Sequence, residues 1–212
     1  MCLSRRVVLS SVVPALALAA GCTRPRTDGP VVVGDEGSDD WAGTRVQNPY
    51  QVPEDSLTDT SGQSYNLSSS PATPVTLVFF GYTHCPDVCI TVMSDLAVAL
   101  KRSEDGVRDR ITVAFVTTDP ARDDPDTIRS WLDRFDPSFV GLTGDLDVIK
   151  DMAEQLGVVV EGMKKLPSGG YEVGHGAQVI GVRQDEGGVI VWTPSTPVGD
   201  LRNDLSRLVD ES

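Results

Sequence analysis

Apolar residues along the chain fall into two kinds of run. Val75-Thr76-Leu77-Val78-Phe79-Phe80 is nearly continuous, β-branched and aromatic, which predicts a strand buried on both faces. Ile111 to Val116 reads the same way and stops at Thr117-Thr118-Asp119-Pro120. Between them Val88, Val92, Leu96 and Leu100 recur every four residues, as one face of a helix does. Pro86 suits the first position of that helix, where its missing N–H costs little. Ile128, Leu132 and Phe135 predict a helix from near Pro125, Leu146, Ile149, Met152 and Leu156 another, and Leu201, Leu205 and Leu208 a last one. Gln178 to Val182 and Val189 to Trp192 predict a hairpin turning at Glu186-Gly187-Gly188, and Leu57 to Leu67 a smaller one around Asp59 and Gly62.

The main order is strand, helix, strand, helices, two strands, helix. A βαβ unit followed by a hairpin and a helix is the thioredoxin-like pattern. The expected fold is therefore α/β and thioredoxin-like, with an extra N-terminal hairpin and an inserted helix. No solenoid period is present.

The N-terminus follows a different pattern. Arg5 and Arg6 precede the uncharged stretch Val7 to Ala20. A basic start followed by about 7–15 apolar residues and then small residues is a secretory signal. The stretch is short for a membrane span, which needs about 20 apolar residues, and it contains Pro14. Leu18-Ala19-Ala20-Gly21-Cys22 resembles a bacterial lipobox, with Ala19 where Leu is commoner; the alternative is a plain secreted protein cut near Ala20. Ser4 to Leu9 resembles a twin-arginine signal, and both this route and Sec export stay open. Thr23 to about Gln47 is rich in Gly, Pro, Asp, Arg and Thr and has no apolar period. The expected organisation is a lipoprotein signal at 1–21, lipidation at Cys22, a flexible tether at 22–48 and one domain at 49–212. That places the domain on the extracytoplasmic face of the cell membrane, held by lipid.

Composition narrows the function. The 212 residues carry 18 Lys+Arg against 31 Asp+Glu, a formal net charge of −13. Nucleic acid as a partner is disfavoured, because phosphate binding needs clustered basic residues. Of four cysteines, Cys2 leaves with the signal and Cys22 carries lipid. The exported domain keeps Cys85 and Cys89, in a compartment that permits disulfides.

On a helix, positions i and i+4 share a face, so Cys85 and Cys89 converge with α-carbons roughly 6 Å apart, a separation a disulfide allows. A helix N-terminus also favours thiolate. The pair is a redox couple or two soft metal ligands, suited to Cu(I) or Zn(II). A structural disulfide closing so small a loop would stabilise little. A metal needs a third ligand, and the chain has two histidines. His175, between Gly174 and Gly176, precedes the Gln178 strand; in a thioredoxin-like order that segment faces the start of the first helix. His84 adjoins Cys85 and reads better as a solvated turn residue. Zinc held by both Cys and both His has the right count, but His84 beside Cys85 strains a tetrahedron.

Val78-Phe79-Phe80-Gly81-Tyr82-Thr83-His84-Cys85-Pro86-Asp87-Val88-Cys89 closely resembles the signature of the Sco/SenC family of copper-binding, cytochrome oxidase assembly proteins. The likeness continues at Thr118-Asp119-Pro120-Ala121-Arg122-Asp123, at Phe139 to Gly144, and at Tyr171-Glu172-Val173-Gly174-His175, covering roughly Tyr50 to Val209. Two departures stand out: Ile90 where the family usually has Pro, and Gly174 and Gly176 where it often has Asp and Ser or Thr. The resemblance implies one copper ion, Cu(I) or Cu(II), held by Cys85, Cys89 and His175. It also implies delivery to the binuclear copper centre of cytochrome c oxidase subunit II, with a copper donor chaperone and a thiol reductase as further partners. Some members of the family look more like thiol-disulfide oxidoreductases that keep the target's cysteines reduced, with Cys85 and Cys89 as the redox pair. Asp87 and Asp119 can support the site or face a partner, or can be a helix acid and a turn cap. A peroxidase of the peroxiredoxin type is disfavoured, because Tyr82 stands three residues before Cys85 where that family places Thr or Ser. A purely structural lipoprotein leaves the paired thiols without a purpose.

Overall fold

The computed structural model describes residues 41–167 and 170–212. The signal, Cys2, Cys22 and most of the expected tether lie outside the described residues.

Ten strands and four α-helices are described, in the order β1 (Thr44–Tyr50), β2 (Ser56–Asp59), β3 (Ser64–Asn66), β4 (Val75–Gly81), α1 (Val88–Arg102), β5 (Ile111–Thr117), α2 (Pro125–Leu132), β6 (Val140–Thr143), α3 (Leu146–Gln155), β7 (Val160–Lys165), β8 (Tyr171–His175), β9 (Val179–Arg183), β10 (Gly187–Trp192) and α4 (Val198–Asp210). Eight strands form one sheet, ordered β1-β10-β9-β4-β5-β6-β2-β3, while β7 and β8 form a separate two-stranded ribbon. β4, β5 and β6 run parallel; β9 is antiparallel to β4. This is the thioredoxin-like α/β fold, with the β2–β3 hairpin added at one edge.

Both faces of the sheet are covered, which is why the central strands read as continuous apolar runs. Successive side chains on a strand point to opposite faces. Val75, Leu77 and Phe79 of β4, with Ile111, Val113 and Phe115 of β5, enter a core shared with α1, α2 and α4. Val78 and Phe80, with Ala114 and Val116, enter the opposite core beneath α3. The helix starts are chemically marked. Asp124 accepts the Thr127 N–H at 2.7 Å ahead of Pro125, and Asp145 accepts the Asp147 N–H at 2.9 Å, so each carboxylate satisfies an amide that the first turn leaves free.

Three expectations change. The tether was expected to run through residue 48, but the folded chain begins earlier, because Thr44–Tyr50 pairs with β10 at the sheet edge. Just ahead of it the buried Asp204 carboxylate of α4 accepts the Ala42 N–H at 3.1 Å, the Gly43 N–H at 2.8 Å and the Trp192 Nε1–H at 2.8 Å. The first helix begins at Val88 rather than Pro86, with Asp87 at its N-cap position. Phe135 lies past the end of α2, in a turn where its N–H donates to the Leu132 carbonyl and its ring meets Trp131 at 4.9 Å. No helix among the described residues is long and apolar enough to cross a membrane.

Candidate metal centre

The site lies at the carboxyl ends of β4 and β5, the end of a parallel sheet where ligands commonly bind. Cys85 sits in the turn before α1, with its N–H donating to the Tyr82 carbonyl at 3.1 Å. Cys89 belongs to the first turn of α1 and is fully buried. The two sulfurs therefore converge because a turn folds back onto a helix start, not because both occupy one helical face. Gly81 makes room for them: a Cβ there would stand 3.0 Å from the Cys89 Sγ.

His175 arrives on the last residue of β8. Its Nε2 lies 3.5 Å from the Cys89 Sγ, and its Nδ1 lies 2.9 Å from the Gly176 carbonyl oxygen. A carbonyl only accepts, so Nδ1 carries the proton and Nε2 presents a lone pair to the sulfurs. The ring stands edge-on to Tyr82 and Phe79, at centroid distances of 5.7 and 6.1 Å. The ligand atoms of Cys85, Cys89 and His175 all lie within 4.8 Å of one another, and they are the only such group of three among the described residues. A metal bonded at about 2.0–2.3 Å to three donors in one plane holds them about 3.5–4 Å apart, so the trio needs only a small contraction. Two sulfurs and one imidazole nitrogen suit a soft or borderline ion.

Both thiols are free, and their environments pull them apart. The Cys89 side chain donates a hydrogen bond to Cys85; burial opposes it, and the N–H groups of Asp87 and Cys89 add to it, lowering the Cys85 thiol to about 3. The Cys89 thiol is raised, because it donates to Cys85 and is buried. The two shifts have one origin: the sulfurs are hydrogen-bonded to each other, with Cys89 the donor and Cys85 the acceptor.

The cysteine turn is tied down by Asp123, which is fully buried. Its carboxylate accepts the Thr83 N–H at 2.9 Å, the Thr83 hydroxyl at 2.6 Å and the Thr117 hydroxyl at 2.7 Å. His84 turns its Nδ1 to this carboxylate at 3.5 Å and is half exposed, so it stands apart from the sulfurs. Asp87 is exposed and makes no side-chain cap bond. Asp119 is buried and pairs with Arg122 and with the Tyr171 hydroxyl, the latter at 2.9 Å. Gly174 lies under Glu161: a Cβ there would meet the Glu161 Oε2 at 2.6 Å. A carboxylate thus stands beside position 174 from the neighbouring strand. Ile90 packs against the core. Tyr82, Arg122, Asp123, Glu161 and Tyr171 surround the site, a role that no sequence pattern assigned to them; Tyr82 served only to disfavour a peroxidase. All but Glu161 lie inside the motif stretches; what placed them was missing, since their partners are far away in the chain.

Fold and site together define a thioredoxin-like domain with a thiol–thiol–imidazole group at the end of its sheet. Residues 44–210 match the SCO1/SenC family, and the chain belongs to it. Protein sco1 of Schizosaccharomyces pombe is 38% identical over 82 residues, 39% of this chain and 31% of its own length. The chain thus spans about a third of that relative. Among solved structures, apo Sco1 from Thermus thermophilus superposes with a TM-score of 0.70 at 32% identity, covering 79% of this chain and 96% of that one. Bradyrhizobium japonicum ScoI, solved with copper bound, gives a TM-score of 0.65 at 30% identity, covering 74% and 99%.

Proposed function

We propose that this protein is a membrane-tethered, extracytoplasmic copper chaperone for cytochrome c oxidase, carrying one copper ion on Cys85, Cys89 and His175 to the binuclear copper centre of subunit II. The observation that carries this reading is the convergence of the three donors with the imidazole already oriented, its Nδ1–H committed to Gly176 and its Nε2 facing Cys89. Copper-bound ScoI supports copper over zinc, and the Sco family is one of cytochrome c oxidase assembly proteins. The lipobox at Cys22 supports anchoring.

Copper here is cargo, and thiolates suit it as Cu(I). Loading requires the proton on Cys89 to leave, which the buried sulfur gives up once a cation neutralises the pair. The site binds through two sulfurs of one turn and one nitrogen of a separate ribbon, so the nitrogen can detach while the sulfurs hold.

The free, unequal thiols favour one second reading, a thiol-disulfide oxidoreductase. The Cys85 thiolate attacks a target disulfide, and Cys89 resolves the mixed disulfide. Two electrons and the one proton on Cys89 pass to the target, whose second sulfur takes its proton from water, leaving Cys85 and Cys89 joined. A thiol reductase restores them.

The test is Cu(I) titration of the reduced and oxidised protein, with Zn(II) as competitor. Cys85→Ser and Cys89→Ser should each nearly abolish Cu(I) binding, since a hydroxyl is a poor ligand for a soft ion. His175→Ala should weaken it and His84→Ala change it little. The disulfide form should bind poorly until reduced. Equal affinity in both redox forms would sink the assignment of the sulfurs.

A further inference from the structure

His175 does not belong to the main sheet. It stands at the end of the β7–β8 ribbon, and most of β7 is exposed. The third ligand is therefore only as well placed as the ribbon is docked. Tyr171, Val173 and His175 alternate along β8 and so share one face, the face turned to the body. Val173 is buried in the core and His175 meets Cys89. Tyr171 meets Arg122.

Arg122 lies in the loop between β5 and α2. Its guanidinium stacks on the Tyr171 ring at 3.7 Å and also faces the Tyr82 ring at 5.7 Å. Its Nε pairs with the buried Asp119, and its Nη1 donates to the Tyr171 carbonyl at 3.4 Å. The Tyr171 hydroxyl donates to the same Asp119 carboxylate at 2.9 Å. Tyr82 also meets the His175 ring edge-on at 5.7 Å. One guanidinium thus touches both the strand that carries the ligand and the ring that orients it. Its charge is balanced by Asp119, and a planar cation over an aromatic face is held more tightly where water is excluded.

We propose that Arg122, held by Asp119, is a positioning residue that clips the β7–β8 ribbon to the body and so seats His175 against the two cysteines. Release of the clip swings the imidazole away and leaves the cargo on two sulfurs, ready for an incoming ligand. This rests on the copper-carrying reading above, but the clip itself is testable without metal.

Amide hydrogen exchange on the metal-free reduced protein reads the docking directly. Arg122→Met should speed exchange in residues 160–165 and 171–175 at least tenfold while β4, β5 and α1 stay protected. Tyr171→Ala, which leaves the Asp119–Arg122 pair in place, should do the same, and it serves if Arg122→Met folds poorly. Arg122→Lys keeps the charge but loses the planar stack, and should fall between. Cu(I) titration against a competing chelator then gives the coupling. Arg122→Met should lower affinity about 10–100-fold, as loss of a ligand's supporting partner does, and should cost nothing further in a His175→Ala background. X-ray absorption should show a nitrogen neighbour of copper in the wild type and its loss in Arg122→Met. Unchanged ribbon exchange in Arg122→Met and Tyr171→Ala overturns the clip. An equal loss of affinity with and without His175 overturns its action through the ligand. If His175→Ala binds Cu(I) as tightly as the wild type, the three-ligand site fails, and exchange still decides the clip.

Discussion

Cys85 and Cys89 differ in what surrounds each sulfur more than in chemistry. Cys85 is 6% exposed and accepts from backbone N–H groups and from Cys89, whereas Cys89 is 0% exposed and acts as the donor. The thiolate is the reactive form of cysteine. One equivalent of iodoacetamide at neutral pH should therefore label Cys85 before Cys89, as peptide mass mapping would show. Preferential labelling of Cys89 would mean that the proton sits on the other sulfur. The residue types of this site were readable from the chain: two thiols near the end of an apolar run and a histidine between glycines. Their spacing was readable for a partly wrong reason. Pro86 reads as the first residue of a helix, yet the turn from Tyr82 to Cys85 continues past it and α1 starts at Val88.

At the scale of elements, the legible parts are those whose burial leaves a period. β4 and β5 are buried on both faces, and α1, α3 and α4 each bury one stripe. β7, by contrast, runs Val-Glu-Gly-Met-Lys-Lys and is exposed along nearly its whole length, so no hydrophobic alternation announces the ribbon that delivers His175. β1 escaped notice because its pairing with β10 is irregular and its neighbourhood is polar. The loop after β5 is held by partners rather than by pattern. Asp123→Ala would leave the Thr83 N–H and the Thr117 hydroxyl without their acceptor in a buried place. Each unpaired donor costs about 1–3 kcal/mol, so the midpoint of urea unfolding should fall clearly. Asp123→Asn, which keeps one acceptor oxygen, should recover part of the loss. A midpoint unchanged in Asp123→Ala would show that this carboxylate does not brace the cysteine turn.

For the whole molecule, attachment is a question for the lipobox-like segment ahead of the folded domain. Cys22→Ala should move the protein from the membrane fraction to the soluble or secreted fraction, as fractionation and blotting would show. Each buried CH₂ of an acyl chain adds about 0.8 kcal/mol, and stable anchoring needs more than one chain or signal. Retention in the membrane fraction would point to another anchor. The clasp of Asp204 on Ala42 and Gly43 then takes on a spatial meaning. Register runs from Thr44 to Val191, from Val191 to Ile180 and from Ile180 to Val78. The chain therefore enters the sheet level with Val78, the middle of β4, and runs from there toward the β4 N-terminal end, away from Cys85 and His175. On the proposed lipidation of Cys22, the pull of the anchor would reach the domain at this edge strand and not at the β7–β8 ribbon, so it would leave the docking of His175 untouched. From Cys22 to Ala42 the chain can stretch at most about 70 Å, which, with Cys22 as the proposed anchor, would set a ceiling on the height at which an acceptor could receive the ion. On the copper-chaperone reading, the acceptors within reach would be those that rise from the same membrane no higher than that.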